Sequence, residues 1–408
     1  MKILLISPFL YGSAATHGGA VLSWRQLEML ATDHELAFVG FDGIELAKLE
    51  EAFLADLTRV CRSVSTTKLK LNFAKVFRTK LACYLLKRPM IADLMLDSRM
   101  TSLINEGIAT FKPDIIWVQF PQMAQYVNAC GELPVVMDVQ DAYTISSFRN
   151  YRMAGGFNRF VRFIDWINCT RYEATLYPRF SAVMTLSSQD AVTLSALSPR
   201  IRSHCIGLPI ANAVTNHKYS AIPNRVGFAG SFGHLPNVEA LEFFLSKVWP
   251  LIRARHADAK FFIAGKNPPI HLLKYASDAV EFLGFVPDIT QFYAENWVTV
   301  SPLVSGGGVK IKTAEAMVAG SAIVATHIGA EGTGALHGVN ILIADDADEF
   351  AKEVVRVLED SALQKSLAQQ AHFHGGEYFS GKSWQYRVND IIEDAVRIES
   401  LKKFSTNG

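Results

Sequence analysis

The chain has 408 residues, 50% hydrophobic and 19% charged, which is too much for one ordinary core and excludes a disordered protein. Forty Lys and Arg against 39 Asp and Glu leave a formal charge of +1, so no overall electrostatic drive toward nucleic acid exists and none is expected as a partner. Five cysteines, Cys61, Cys83, Cys130, Cys169 and Cys205, stand singly without a C-x-x-C pair; this argues against a zinc ribbon and a disulfide framework, and fits a reducing compartment.

The first segment, Met1-Lys2-Ile3-Leu4-Leu5-Ile6-Ser7-Pro8, carries one basic residue and a short apolar run, which predicts a β-strand rather than a signal peptide. No apolar run reaches the roughly 18 residues that a spanning helix needs. The expected location is therefore cytoplasmic, with any membrane contact peripheral and at the inner face of the cell membrane. Runs at 3–6, 36–40, 114–119, 134–139 and 182–186 are short and rich in Ile, Val and Phe, and helical stretches such as 20–32 and 97–111 separate several of them. This alternation predicts a parallel sheet with crossover helices.

Two basic stretches interrupt that series. Between Thr66 and Met90 lie Lys68, Lys70, Lys75, Arg78, Lys80, Lys87 and Arg88 without an acid, and Phe148 to Tyr172 carries Arg149, Arg152, Arg159, Arg162 and Arg171 among Phe157, Phe160, Phe163 and Trp166. Such surfaces suit the anionic face of a membrane, where each nearby cation contributes about 1 kcal/mol. An ordinary solvated helix face is the other reading. Asn168-Cys169-Thr170 matches a glycosylation sequon, irrelevant in a cytoplasmic protein.

After Pro209 a polar stretch of weak periodicity marks a linker at 207–223. A second α/β series follows in 226–230, 261–265, 280–284, 298–300 and 322–326. The organisation expected is a domain over 1–206, the linker, a second domain over 224–382, and a C-terminal crossover helix and tail over 383–408. Two doubly wound Rossmann-like domains bind ligands beyond the carboxyl ends of their strands, which places the expected site in a deep cleft where the domains face each other.

The run from Ser305-Gly306-Gly307-Gly308-Val309-Lys310-Ile311-Lys312 to Glu315 is the most informative motif. Glycines let backbone N–H groups approach an anion, a helix start adds its positive dipole end, and Lys310 and Lys312 add full charges. Glu315, three residues after Lys312, shares its helix face and suits a ribose diol. Phosphate and ribose contacts together describe a nucleotide-sugar site; a glycine-rich turn before a helix with an internal Lys–Glu pair is the plain alternative. Gly376 to Ser383 fits G-x-x-x-x-G-K-[ST] letter for letter, but follows the helical stretch 347–374 near the end of the chain and is rejected as a P-loop. Neither domain's first strand leads into a G-x-G-x-x-G fingerprint, which argues against a dinucleotide-dependent dehydrogenase. Asp345-Asp346-Ala347-Asp348 reads as a solvated helix start, not a metal cluster, so no metal and no cofactor are expected.

In order along the chain, Ile6-Ser7-Pro8 with His17-Gly18-Gly19-Ala20, Gly230-Ser231-Phe232 with Pro236-Asn237-Val238-Glu239, Leu283-Gly284-Phe285-Val286-Pro287-Asp288, and Gly306 to Gly320 with Gly329-Ala330-Glu331-Gly332 resemble the retaining family-4 (group 1) glycosyltransferases of the GT-B fold, in a triple-glycine variant of the donor motif. The resemblance implies hexose transfer from a nucleoside diphosphate sugar to a glycan or lipid-linked acceptor, with retention and without metal, in polysaccharide or lipopolysaccharide synthesis. It implies donor binding by Gly230, Ser231, Val286, Gly306, Gly307, Gly308, Lys310, Lys312 and Glu315, acceptor binding by Gly18, Gly19 and Gln140, and catalytic roles for Asp141, Lys312 and His17. Departures are plain: the first of two glutamates usual in the donor motif falls on Gly307, an arginine and a lysine usual after 226–230 are replaced around Ser231 and Pro236-Asn237, and the usual first-domain histidine falls on Gln140. A non-catalytic sugar-nucleotide binding module and a nucleotide-sugar epimerase are the alternatives.

Overall fold

The computed structural model describes residues 1–15, 18–44, 47–69, 73–85, 87–210 and 220–406, the side chains of 74, 80, 82 and 402–406 excepted. Two compact units form: Met1–Pro209 with Trp384–Gly408, and Ile210–Ser383. Most of the linker expected over 207–223 falls on 211–219, outside the described residues.

The first unit holds seven strands: β1 Lys2–Ser7, β2 Glu35–Asp42, β3 Ser63–Lys68, β4 Ile115–Gln119, β5 Val135–Val139, β6 Ala182–Thr185 and β7 Ser203–Cys205. They pair in parallel in the order β3-β2-β1-β4-β5-β6-β7, with Ile3 opposite Leu36 on one side and Ile115 on the other. Helices cover both faces, so central strands have no solvent side to mark with polar residues. Ile3, Leu4, Leu5 and Ile6 are fully buried.

The last helix, Gly381–Thr406, seals part of this unit. Trp384, Val388, Ile392 and Ala395 recur at helical spacing and are buried, with the Trp384 ring 6.4 Å from Trp117 of β4. Polar groups beside that stripe tie it down: Arg387 donates to the Ile206 carbonyl at 3.0–3.1 Å, and Gln385 to the Met29 carbonyl at 3.0 Å.

The second unit holds β8 Ile222–Ala229, β9 Lys260–Ala264, β10 Val280–Gly284, β11 Asn296–Ser301, β12 Ile323–Ala325 and β13 Leu342–Ile343, parallel in the order β10-β9-β8-β11-β12-β13. Phe228, Phe244, Phe261 and Phe350 are wholly buried in its core. The helical stretch expected over 347–374 is two helices, Ala347–Glu359 and Ser361–Phe379, because the Asp360 carboxylate accepts from the N–H groups of Ala362 and Leu363 and starts the second.

Three strands absent from the sequence reading, β3, β7 and β13, are all edge strands. An edge strand is covered on fewer sides, and Ser-Val-Ser-Thr-Thr-Lys of β3 is half-buried along most of its length, so no continuous apolar run announces it.

Candidate functional site

In the second sheet the chain steps outward from β8 to β10, then returns to the other side of β8 for β11. The reversal makes the gap between β8 and β11 the switch point at which doubly wound sheets receive ligands. Two segments leave the carboxyl ends of those strands: Gly230-Ser231 from β8, leading to the helix Leu235–Phe243, and the loop 302–310 from β11, leading to the helix Ile311–Val318. The structure brings them together, since a methyl on Gly306 would meet Pro236 at 3.3 Å and Ser305 donates to the Glu239 carboxylate.

Gly306 and Gly308 have φ of +97° and +69°, conformations that L side chains rarely adopt. Lys310, only 6% exposed, donates from Nζ to the carbonyls of Gly307 at 2.9 Å and Gly308 at 2.8 Å, and to Glu331 Oε2 at 3.2 Å. In a trans peptide the N–H points opposite to the C=O. The carbonyls drawn to Lys310 therefore aim the N–H groups of Gly308 and Val309 away from its amine, as an anion cradle requires. Lys310 thus shapes the loop.

Lys312 reaches the other way. Its amine donates to Asn237 Oδ1 and lies 5.0 Å from the centre of the Phe228 ring, and the Asn237 amide donates to the Ser231 carbonyl at 2.8 Å. A short chain of contacts thus runs from the glycine-led helix to the end of β8. Burial, and secondarily the charge of Lys310, pull the Lys312 ammonium down to about 7, with Glu315 opposing. His234, at the start of the helix after β8, is lowered by burial and then by Lys312 and Lys310. Lys310 and Lys312 thus concentrate positive charge beside His234, charge that a bound anion would offset.

Glu315 is half-buried and close enough to raise Tyr293, a shift in which burial is the larger cause. Val286 follows the edge strand β10, and Asp288 beyond it caps the helix Ile289–Glu295 by accepting from the Gln291 N–H at 2.9 Å.

The first sheet has its own switch point between β1 and β4. The helix Gly18–Asp33 begins there, and a methyl on Gly19 would lie 3.2 Å from the Phe120 ring and 3.3 Å from Gln140 Oε1. Gly18, Gly19 and Gln140 are therefore neighbours. Gln140 donates to Ser23 Oγ at 2.9 Å, which fastens β5 to this helix. Asp141 follows Gln140; burial, then Asp190, push its carboxyl up to about 7 against the pull of Arg149 and Ser146. His17 lies outside the described residues.

His234, Asn237, Glu239 and Glu331 join the expected residues here. The sequence signal for the first three was a proline opening a helix directly after β8, which puts them at the switch point. Glu331 stands in the segment Gly329-Ala330-Glu331-Gly332 that carries the resemblance, but a carboxylate in a loop declares no partner, so its hold on Lys310 was not legible. Glu173 in the first unit is a further case: buried, it accepts from the N–H groups of Tyr143 and Thr144 at 2.7 and 2.8 Å and so caps the helix after Asp141.

The rejected P-loop letters occupy the end of the helix Ser361–Phe379 and the start of the next. Beside them, Gly375 lies so close to the helix Ile311–Val318 that a methyl would meet the Val318 nitrogen at 2.7 Å. Asp346 accepts from the N–H groups of Asp348 and Glu349 and caps a helix. Among the described residues no group of three or more His, Cys, Asp and Glu is placed to hold a metal ion.

Two Rossmann-like units, each with all its strands parallel, define the GT-B architecture. The crystal structure of Anabaena HepE in complex with UDP superposes with a TM-score of 0.66 at 14% identity, covering 96% of this chain and 100% of that one. Residues 223–360 match the family model for glycosyl transferases group 1, so the second unit carries a domain of that kind. Two curated relatives align in part: an "uncharacterized 44.6 kDa protein in cps region" of Klebsiella pneumoniae at 29% identity over 184 residues, 43% of this chain, and a phosphatidyl-myo-inositol mannosyltransferase of Mycolicibacterium smegmatis at 31% over 129 residues, 30% of this chain. The aligned stretches span 47% and 33% of those relatives' own lengths.

Proposed function

We propose that this protein is a glycosyltransferase that moves a hexose from a nucleoside diphosphate sugar to a glycan or lipid-linked acceptor in cell-surface polysaccharide synthesis, with retention at the anomeric carbon and without a metal ion. The observation that carries the reading is the convergence of Lys312, His234 and the Gly306–Gly308 loop at the switch point between β8 and β11. The cps-region setting of one relative, the mannosyl transfer named for the other and the UDP bound by HepE point the same way.

Breaking the glycosidic C–O bond leaves negative charge on the diphosphate. Groups aimed there stabilise the transition state more than the ground state. Lys312 meets that charge with the N–H groups of Gly308 and Val309, Lys310 holds the loop that presents them, and Glu315 accepts from the ribose diol. Gly230, Ser231 and Val286 line the rest of the donor. On the first unit, Gly18, Gly19 and Gln140 receive the acceptor. Asp141, whose carboxyl lies near 7, takes its proton or holds a sugar hydroxyl, and His17 assists.

The test is a thermal-shift screen of UDP, GDP and ADP, alone and with attached sugars, on wild type and Lys312→Ala. One nucleotide should raise the melting temperature of wild type and leave Lys312→Ala unmoved, and turnover of its sugar should fall about a hundredfold or more in the variant. No shift with any donor would refute the donor site. Conversion of the sugar on the nucleotide without transfer would favour an epimerase. Activity lost in EDTA and restored by manganese would overturn metal independence.

A further inference from the structure

The helix Phe73–Leu85 has its faces reversed. Phe73, Val76, Phe77, Leu81, Tyr84 and Leu85 recur at helical spacing along one face and are exposed, Phe73 by 88% and Leu85 by 69%. The inward side carries Thr79 and Cys83, both small and both buried. Thr79 donates to buried Asp93 at 3.0 Å, and the carbonyl of buried Cys83 accepts from Asn168 Nδ2 at 2.7 Å. A helix on an aqueous surface is arranged the other way round. Arg78, Lys87 and Arg88 stand exposed beside the apolar stripe.

A second feature adjoins it. The helices Tyr143–Met153 and Gly156–Leu176 form a hairpin whose tip exposes Met153 by 72% and Phe157 by 79%, with Phe160 close behind. Arg152, Arg159 and Arg162 are exposed around that tip, and the Arg159 guanidinium lies 5.2 Å over the Tyr151 ring. Tyr151 stacks in turn on Trp166, with centroids 5.9 Å apart. The hairpin is fastened to the reversed helix through Asn168 and Cys83, and to the segment that follows it through Asp165, which accepts from the Met90 N–H at 3.1 Å.

We propose that these three helices form a docking face for an anionic phospholipid bilayer, with the apolar stripe and the hairpin tip entering the headgroup region and the arginines and lysines meeting lipid phosphates. The pairing of large exposed apolar side chains with a cluster of exposed arginines and lysines selects this occupant. A second copy of the chain would set like charges against each other, and a dissolved polyanion would leave the aromatic and aliphatic side chains in water. No helix among the described residues is long and apolar enough to cross a membrane, so the contact is interfacial. The proposal goes beyond sugar transfer and does not rest on it.

The test is co-sedimentation of the full chain with vesicles of phosphatidylcholine, alone and mixed with phosphatidylglycerol. Wild type should partition at least about tenfold better onto the anionic vesicles at low salt and release in about 1 M NaCl, where the Debye length is about 3 Å. Phe73→Ser with Phe77→Ser, and separately Phe157→Ser with Phe160→Ser, should each weaken partition about tenfold or more while keeping the wild-type melting temperature, since all four side chains are already solvated. Failure of wild type to sediment with anionic vesicles would overturn the proposal. So would light scattering that shows a dimer dissociated by either pair of substitutions, which would make the face a self-interface. Neither result bears on nucleotide binding, which the thermal shift reads separately.

Discussion

Lys312 carries the clearest consequence at the scale of a single residue. An ammonium held near 7 by burial and by Lys310 is protonated at pH 6 and largely neutral at pH 8.5, whereas a diphosphate bound against it would draw its proton back. The sign follows: above about pH 7 donor binding takes up a proton, so affinity falls as pH rises, by at most about tenfold per unit for one proton. Lys312→Arg remains charged throughout and should flatten that dependence, although its fork does not reproduce the point contact with Asn237. The nucleotide's own phosphate titrates equally in both proteins and cancels from the comparison. Calorimetric titration at pH 6 and 8.5 checks it, and equal pH profiles for the two proteins would show that Lys312 does not meet the phosphates. The residue types at this site were legible from the sequence, but the division of labour between the two lysines was not. Spacing puts both at the start of one helix; only the fold shows that Lys310 is enclosed by its own loop and Glu331 while Lys312 reaches Asn237, 75 positions away along the chain.

Among elements, the loop between β11 and the helix Ile311–Val318 makes a separable statement about conformation. No heavy atom lies within 4 Å of a methyl built on Gly308, so Gly308→Ala would add strain without a clash. An L residue in the left-handed region costs about 1–2 kcal/mol, and asparagine tolerates it better than alanine. With no side chain packed on it, the ligand-free loop relaxes out of that conformation and the strain falls on binding, so nucleotide affinity should fall in the order Gly308, Asn, Ala, with the alanine loss about five- to thirtyfold and the melting temperature of the free protein nearly constant; an alanine variant that binds like wild type would exclude this loop from the phosphate. The same distinction between local pattern and context governs what could be read of the fold. Central strands such as β1 and β4 are legible because burial on both faces forces continuous apolar runs. The edge strands β3 and β7 mix polar residues into half-buried positions, and β13 is two residues long, so their pairing is decided by neighbours that sequence spacing does not reveal. The basic, aromatic segments show the converse: charge and apolar content were visible in the sequence, while the outward turn of the Phe73–Leu85 stripe depends on Thr79 and Cys83 finding partners inside.

At the scale of the whole molecule, the chain crosses from the second unit back into the first between Ser383 and Trp384, within one continuous helix. The first unit therefore takes part of its core from a helix more than 170 residues further along the chain than its last strand. Trp384, Val388 and Ile392 are wholly buried, and each such side chain is worth about 1.5–3 kcal/mol, a sum that rivals the roughly 5–15 kcal/mol by which a domain is stable. The His34–Asn389 and Arg387–Ile206 hydrogen bonds would be lost as well. The second unit keeps its own core without them. A chain ending at Ser383 should accordingly retain the transition that nucleotide shifts, while its unfolding enthalpy drops by far more than the 25 deleted residues explain at about 0.7 kcal/mol each. Differential scanning calorimetry decides it. An enthalpy loss proportional to the deletion would mean that the first unit stands without its last helix, and that the buried Trp384 stripe seals a core already complete.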